Sequence, residues 1–222
     1  MNAEILSVGT EILLGDIANT DAQDISQSLS EIGINVFFHT VVGDNPKRLK
    51  QALDIARSRA DIIITTGGLG PTYDDLTKET LAKCFGKALV IHEPTMKRMQ
   101  EFFKKINEPM TDNNKKMACV MEGAKVFDNN WGIAPGCAFE ADGKGIIMLP
   151  GPPWECTPMF NELVKPYLMS LSDGIIVSRT VRIYGLGESH VEDMLKDYIV
   201  EMKNPTVAPY AKDGECMLRI TA

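Results

Sequence analysis

A glycine-rich turn followed by two acids is the part of this sequence with the clearest potential for chemistry. The apolar run at residues 62–64 leads into the motif GGLGP at 67–71, and Asp74 and Asp75 follow where a helical pattern begins. A glycine turn that leads into a helix commonly binds an anion through backbone N–H groups and the positive end of the helix dipole. Two carboxylates there would repel a bare phosphate, so an anion site alone does not explain them.

Acids also follow the other predicted strands. The motif VGTE places Thr10 and Glu11 after the first strand, VGDN places Asp44 after the second, and LPGPPWE places Glu155 after a late strand. In open α/β sheets ligands bind beyond the carboxyl ends of the strands, so these residues are expected to lie around one site. A single acid such as Asp44 or Glu155 is also explained structurally, because an acid near a helix N-terminus contributes about 0.3–1 kcal/mol.

The pair at 74 and 75 is better explained by a divalent cation. One carboxylate can cap the helix, whereas the second adds repulsion. Mg²⁺ and Mn²⁺ bind one or two carboxylates together with phosphate oxygens and water, and such a metal neutralises charge in phosphoryl chemistry. We therefore predict a divalent cation (Mg²⁺, Mn²⁺ or Co²⁺) held by Asp74, Asp75 and Glu11, next to a phosphate on the glycine turn. We expect the same three residues to be catalytic.

Other common site patterns are not met. The turn matches neither the GxxxxGK[ST] pattern of P-loop enzymes nor the GxGxxG pattern of dinucleotide-binding folds. His39, His92 and His190 lack the spacing of a metal-binding pair, and the serines in strands and turns form no nucleophile elbow. The glycine turn with its acids is therefore the main candidate site.

Alternating strand and helix patterns position these turns. Apolar runs at residues 3–8, 34–42 and 62–64 predict strands, and helical patterns begin near Asn19 and Pro46. This alternation predicts βαβ units with right-handed crossovers and a mainly parallel sheet. Farther along, the pattern predicts three helices, at residues 93–107, 113–121 and 153–171. It also predicts a hairpin in which residues 136–140 pair with residues 145–149.

A second, smaller unit is predicted after residue 171. The stretch LSDG at 171–174 separates a domain at 1–171 from a module at 172–222. The pattern of the module predicts a strand at residues 175–184, a helix at 188–202 and two further strands at 206–211 and 215–222. Because the sequence stops directly on a strand, we expect a truncated module whose natural protein continues.

Composition limits the classes of partner. The formal net charge is −7, so no basic face for nucleic acid is expected. The five cysteines are odd in number and form no CxxC pair, which indicates free thiols in a reducing cytosol. The N-terminal residues do not form a signal peptide, and no apolar run approaches the ~20 residues that span a bilayer. We expect a cytoplasmic protein without nucleic-acid or membrane partners.

Five motifs together resemble a known family: SVGTEILLGDIANTDAQ, VVGDN, TTGGLGPTYDDLT, GIAPG and LPGPPWE. In this order they resemble the N-terminal half of CinA (competence-damage-inducible) proteins, which belongs to the wider molybdopterin-binding, MoaB/Mog-like family. The resemblance covers about residues 1–171. The remainder, with YGLGESHVEDML, is similar to the KH-like module that follows in CinA proteins, ahead of a nicotinamide-mononucleotide deamidase domain. The implied fold is a three-layer, mainly parallel α/β domain of MoaB/Mog type followed by a small α+β KH-like module.

The resemblance also implies a function. The CinA branch is associated with metal-dependent hydrolysis of ADP-ribose to AMP and ribose 5-phosphate, so we expect a pyrophosphohydrolase acting on ADP-ribose or a similar nucleoside diphosphate sugar. One alternative is a pterin-binding protein of molybdenum-cofactor biosynthesis, and another is a non-catalytic nucleotide-binding module of a larger CinA-like protein. Homo-oligomers are the default for such domains, with a dimer favoured and a trimer as the alternative.

The family pattern assigns the phosphate site to the GTE turn and to residues 66–70. The residues expected to bind substrate are Thr10, Thr66, Gly67, Gly68, Gly70, Asp44 and Glu155. Two positions depart from the pattern: Asp21, where family members often have asparagine, could alter ligand preference, and Ile133 lacks the hydroxyl of the usual threonine. The KH-like module lacks a GXXG loop, so RNA binding is not expected of it.

Overall fold

A six-stranded sheet organises the first part of the chain. The computed structural model describes residues 1–171, 178–212 and 214–222. Its first eight strands are β1 (Asn2–Val8), β2 (Asn35–Val42), β3 (Ile62–Thr66), β4 (Leu89–Ile91), β5 (Cys119–Met121), β6 (Lys125–Phe127), β7 (Gly136–Ala141) and β8 (Lys144–Leu149). The sheet has the order β2-β1-β3-β8-β7-β6, in which the first four strands are parallel, β7 pairs antiparallel with β8, and β6 pairs antiparallel with β7; β4 and β5 form a separate antiparallel pair.

Helices connect these strands. They are α1 (Thr10–Leu14), α2 (Thr20–Glu31), α3 (Pro46–Arg59), α4 (Thr77–Phe85), α5 (Glu93–Lys105), a 3₁₀ helix (Asp112–Ala118), α6 (Pro153–Met159), a π-helical turn (Phe160–Val164) and α7 (Lys165–Ser170). The Asn19 side chain caps α2 by accepting the N–H of Ala22, and Asn45 caps α3, in which Pro46 occupies the first turn. Both starts follow the usual preference for asparagine caps and for proline where no N–H is needed.

The sheet separates two hydrophobic cores. Along β1, Ile5 faces one core and Leu6 the other, as the two-residue period of a strand requires. Helices α3, α4 and α5 cover the Leu6 side, and α2, α6 and α7 cover the Ile5 side. The predicted three-layer, mainly parallel α/β architecture is therefore confirmed.

The structure differs from the sequence prediction in several places. Helix α1 is too short to show an apolar period and was not predicted. Residues 113–121 form a 3₁₀ helix and strand β5 rather than one short helix. Helix α4 begins at Thr77 with Leu76 as N-cap, so Asp74 and Asp75 precede the helix and neither caps it. The helix predicted at 153–171 is interrupted by a π-helical turn between Pro158 and Pro166, because neither proline can donate an N–H.

The smaller unit is a three-stranded antiparallel sheet with two short helices. Its elements are β9 (Ser178–Tyr184), α8 (Glu188–Met194), α9 (Lys196–Glu201), β10 (Thr206–Lys212) and β11 (Glu215–Thr221), with strand order β10-β11-β9. The helix predicted at 188–202 is thus two helices, whereas the boundary at 172–174 and the strand residues predicted at 175–177 lie outside the described residues. In the part of the chain that the structure describes, no helix is long and apolar enough to cross a membrane.

Lys78 connects α4 to the 3₁₀ helix from inside the protein. It is only 2% exposed, and its Nζ donates to the carbonyl oxygens of Lys116 at 2.6 Å and Met117 at 3.3 Å. Burial lowers the pKa of Lys78 to about 8, although the charges of Cys119 and Glu79 act in the opposite direction. Lys78 is therefore an internal anchor between these two helices.

We expect the stability contribution of Lys78 to rise with pH. Because its pKa is lower in the folded chain than in the unfolded chain, the unfolded chain binds more protons between about pH 8 and 10.4, and folding gains up to about 3 kcal/mol across this window. The free energy of unfolding of wild type, measured relative to Lys78→Met, should increase by that amount from pH 7.5 to 10. Lys83→Met, which removes an exposed lysine of α4, should show no such trend, and a flat difference for Lys78→Met would contradict the assignment.

Candidate functional site

An open cleft of about 1340 Å³ lies at the carboxyl ends of the central strands. The loops that follow β1, β3 and β8 form its base, and α5 and the loop at residues 129–134 form further walls. Parallel strands with successive right-handed crossovers bring these loops to the same edge of the sheet. The position of the site was therefore predictable from the alternation of strands and helices.

Backbone atoms pack directly against one another at the floor of the cleft. The N–H of Gly67 donates to the carbonyl oxygen of Leu149 at 3.1 Å, and Gly67 has φ +89°. A Cβ at Gly67 would overlap the carbonyl oxygen of Val8, and a Cβ at Gly151 would lie 3.0 Å from the Cα of Gly67. Only glycine allows the ends of β1, β3 and β8 to meet this closely.

The glycine turn presents unused hydrogen-bond donors. Within residues 1–171, 178–212 and 214–222, no acceptor pairs with the backbone N–H groups of Gly68, Leu69 and Gly70, all of which line the cleft. The turn is joined to the start of α4 because the N–H of Thr77 donates to the carbonyl oxygen of Gly68 at 3.2 Å. Successive N–H groups ahead of a helix N-terminus form an anion-binding arrangement.

The two adjacent acids have different surroundings. One oxygen of Asp75, Oδ2, accepts hydrogen bonds from the N–H of Thr72, at 2.8 Å, and from its hydroxyl, so this carboxylate stabilises the turn that precedes α4. Asp74 is exposed, and its pKa is lowered by interaction with the Thr72 side chain and by the charge of Lys116. Asp74 is therefore ionised at neutral pH, and its exposed position leaves it accessible to a ligand or cation.

The remaining acids are each adjacent to a local donor or glycine. Asp44 accepts from the N–H and hydroxyl of Thr10 at 2.9 and 2.8 Å. Glu155 accepts from Nδ2 of Asn129 at 2.6 Å, beneath Gly132. The Glu11 carboxylate folds back over Gly9. Asp44 and Glu155 are thus each held in place by local hydrogen bonds.

The predicted metal ligands do not form a preformed cation site. Among the described residues, no group of three or more His, Cys, Asp or Glu side chains is placed so that it could hold a metal ion. The joint set of Asp74, Asp75 and Glu11 is therefore not assembled, although all three line the cleft. A cation here would be held by one or two carboxylates together with phosphate oxygens of the ligand.

Most of the residues predicted for the site lie in the cleft. Its lining includes Glu11, Asp44, Thr66, Gly67, Gly68, Gly70, Asp74, Asp75 and Glu155. Thr10 is not part of the lining and acts through its hydrogen bonds to Asp44. Lys47, at the start of α3, is exposed and also lies outside the lining.

Other lining residues were not assigned to the site from the sequence. Arg98 and Phe102 come from α5, and Asn129 and Trp131 come from the loop before β7. None of them belongs to a glycine motif or follows a strand of the parallel part of the sheet. Their position in the cleft depends on how α5 packs, and no residue spacing in the sequence predicts that packing.

Asp21 is the most perturbed acid of the cleft. It is 7% exposed, and its Oδ1 atom is buried with no hydrogen-bond partner in the described part of the chain. The pKa of Asp21 is raised to about 7, mainly by burial and also by the charge of Asp24, while interaction with the Cys156 thiol acts in the opposite direction. The site therefore contains one carboxyl group that changes charge near neutral pH.

Comparison with known families assigns both parts of the chain. Residues 4–170 match the model of the probable molybdopterin binding domain, and residues 178–222 match the model of the damage-inducible protein CinA KH domain. A CinA-like protein of Dictyoglomus thermophilum is 57% identical over 222 residues, and a competence-damage inducible protein of Acetivibrio thermocellus is 54% identical over 221. These alignments cover 100% of this chain and 54% of each relative, so the chain spans about half the length of the curated relatives it matches.

Solved structures agree with this assignment. A crystal structure of CinA from Thermoplasma acidophilum, described as of unknown function, superposes with a TM-score of 0.66 at 35% identity, covering 74% of this chain and 96% of the other. The molybdopterin biosynthesis enzyme MoaB from Thermus thermophilus gives a TM-score of 0.51 at 20% identity, covering 77% of this chain and 94% of the other. At that identity, the second comparison establishes likeness of fold alone.

We expect Asp21→Asn to stabilise the chain at neutral and higher pH. Because the folded pKa lies above the unfolded value of about 3.9, the stability contribution of Asp21 is fully present below pH 4 and is lost as the pH rises to about 7. Water in the open cleft reduces the effect, so we expect the Asn variant to gain about 2 kcal/mol relative to wild type between pH 4.5 and 8. Chemical unfolding at both pH values measures it, with Asp16→Asn as the exposed control; equal trends for the two variants would contradict the assignment.

Proposed function

Because the chain belongs to the CinA family and carries a domain of the molybdopterin-binding type, we propose that the cleft binds a phosphate-bearing pterin compound of the molybdopterin class. The phosphate would accept hydrogen bonds from the N–H groups of Gly68, Leu69 and Gly70. The observation that carries this proposal is the absence, among described residues, of any protein acceptor for these donors. Backbone N–H groups bind an anion without a cationic side chain.

The walls of the cleft suit a flat heterocycle. Trp131 and Phe102 line the cleft together with Ile133, and Phe102 is 45% exposed. Aromatic faces stack on planar rings, and pockets for small molecules are mostly apolar with few polar groups at fixed positions. These walls support a ligand whose ring system lies away from the phosphate.

The second candidate function is hydrolysis of ADP-ribose or a related nucleoside diphosphate sugar. It is favoured by the position of Asp74, Asp75 and Glu11, which line the same cleft as the glycine turn. A divalent cation held by one or two of these carboxylates would supply charge neutralisation at a diphosphate. The protein's own contribution would be to hold the phosphate on the turn and to orient water with a free carboxylate oxygen.

A third candidate function is that of a nucleotide-binding module of a larger CinA-like protein, without chemistry of its own. The chain covers 54% of the length of each of two relatives. Binding without turnover would distinguish this function from hydrolysis. A homo-oligomer remains a prediction for each of the three.

The binding proposal predicts where a phosphate is found. We expect molybdopterin, titrated anaerobically by calorimetry, to bind with an affinity that EDTA changes less than about twofold, because the phosphate donors are backbone N–H groups. In ¹⁵N-labelled protein, the amide signals of Gly68, Leu69 and Gly70 should shift on adding the ligand. The amide of Gly143, in the turn between β7 and β8, serves as the control signal. Binding with no change at the glycine turn would contradict the proposal.

If the chain hydrolyses ADP-ribose, loss of the negative charge of Asp75 should strongly reduce the rate. With Mg²⁺, Mn²⁺ or Co²⁺, ADP-ribose should yield AMP, and Asp75→Asn should reduce the rate by about 10²-fold or more. Asparagine can still accept the hydrogen bonds of Thr72, so the turn should persist while the charge is lost. Asp16→Asn is the matched control outside the cleft. Absence of AMP with every metal, or equal rates for the two variants, would remove hydrolysis and leave binding.

A further inference from the structure

The loop that follows the glycine turn is held from outside the cleft by one lysine. This acidic loop, residues 71–76, carries the two adjacent aspartates and leads into α4. The Nζ atom of Lys116, in the 3₁₀ helix, donates hydrogen bonds to the carbonyl oxygens of Thr72, at 3.2 Å, and of Asp75. The N–H of Asp75 donates to the same carbonyl oxygen of Thr72, so these two residues close a turn. A single ammonium group therefore contacts both ends of that turn.

The ammonium group of Lys116 has partners for all of its donors. It carries three N–H groups, and beside the two carbonyl oxygens it forms an ion pair with Oε1 of Glu79, in α4, at 3.4 Å. The two side chains are 21% and 31% exposed, so water and salt screen this charge less than on an open surface. Lys115, the preceding residue, is 52% exposed and pairs with Asp112 of its own helix. Of these two neighbouring lysines, Lys116 is thus the one that connects separate segments.

The 3₁₀ helix that carries Lys116 is itself fixed to the core. Its residues Met117 and Ala118 are buried, and the carbonyl oxygens of Lys116 and Met117 accept hydrogen bonds from Nζ of Lys78. Lys78 lies in α4, so two lysines connect the same pair of segments in opposite directions. Because the hydrogen-bond acceptors are backbone carbonyls in both cases, the two lysines fix the main chain of both segments.

The acidic loop packs in turn against the glycine turn. Oδ2 of Asp75 accepts the N–H and the hydroxyl of Thr72, and a Cβ at Gly70 would overlap the Asp75 carboxylate. The carbonyl that Lys116 contacts therefore belongs to the residue that lies directly against Gly70. Lys116 itself lies outside the lining of the cleft, so it acts on the glycine turn through Asp75.

We propose that Lys116 is a positioning residue of the cleft, which holds the acidic loop in the arrangement that lets the glycine turn bind an anion. Its ammonium group also brings a positive charge to the loop of Asp74 and Asp75, whose negative charge opposes an approaching anion. The inference rests on the proposed function, because the anion on the turn belongs to that proposal. It adds a residue that acts without touching the ligand.

The test measures the binding of inorganic phosphate to the full chain. Phosphate is titrated into ¹⁵N-labelled protein at about 0.15 M salt, and the amide signals of residues 68–70 are followed. Lys116→Met keeps most of the side-chain length but removes the charge and the donors, so the affinity should fall about tenfold or more. Lys116→Arg keeps a cation with several donors and should recover the affinity to within about threefold of wild type.

Lys115→Met is the matched control. It removes one positive charge from the adjacent position of the same helix, where the lysine is half exposed and contacts Asp112. Exposed ion pairs contribute little, so its phosphate affinity should stay within about twofold of wild type. An effect of net charge alone would reduce the affinity of both methionine variants equally.

Two measurements without phosphate report the anchor separately. In wild type, the ammonium signal of Lys116 should persist in ¹⁵N spectra because its protons are hydrogen-bonded, whereas that of Lys115 should be lost through faster exchange with water. In Lys116→Met, the amide proton of Thr72 should exchange with solvent about tenfold faster or more. The amides of β1 should keep their protection, which shows that the fold persists.

Each result has a distinct meaning. A phosphate affinity of Lys116→Met within about twofold of wild type, or an equal loss in Lys115→Met, overturns the positioning role. If wild type responds at 68–70 and Lys116→Met binds equally well, the proposed function stands and this inference fails. If the amides at 68–70 of wild type ignore phosphate, the proposed function fails, and Lys116 anchors a loop but positions no anion site. Should Lys116→Met not fold, ammonium exchange as fast at Lys116 as at Lys115 in wild type, or no phosphate binding by Lys116→Arg, overturns the inference.

Discussion

The arrangement of the site depends on one close approach of backbone to backbone. The carbonyl oxygen of Val8, the peptide of Gly67 and the Cα of Gly151 occupy a space in which no side chain fits. This contact fixes the ends of β1, β3 and β8 relative to one another, so the loops that leave them start from a common point. Gly68, Leu69 and Gly70, which follow this contact, line the cleft, and their N–H groups have no acceptor among the described residues.

Electrostatic balance in the cleft follows from the same geometry. Asp44, Asp75 and Glu155 each accept a nearby N–H or O–H group, so their charges are held by the loops themselves. The Oδ1 atom of Asp21 lacks such a partner among the described residues, and burial raises the pKa of this carboxyl to about 7. Local donors and burial therefore both reduce the repulsion that these acids would otherwise exert on one another.

The sequence predicts features that depend on local chemistry. Glycines before a helical pattern, asparagine caps and the two-residue period of apolar strands were sufficient to predict the parallel sheet and the edge at which the cleft lies. The surroundings of single acids were less accessible, because no spacing predicts that Asp75 accepts hydrogen bonds from Thr72. Burial of Lys78 and the position of Arg98 depend on how α4 and α5 pack. Such contacts between distant segments leave no spacing pattern.

The difference between tightly and loosely held charges bears on which residues act on a ligand. Glu155 accepts a hydrogen bond of 2.6 Å from Asn129, and Asp44 accepts bonds of 2.8 and 2.9 Å from Thr10, so a ligand would have to break these bonds to recruit either acid. The Arg98 guanidinium, by contrast, makes only contacts of 3.4 and 3.8 Å. Since binding energy is what remains after existing contacts are exchanged for new ones, a loosely held guanidinium and unpaired N–H groups have less to lose than the hydrogen-bonded acids.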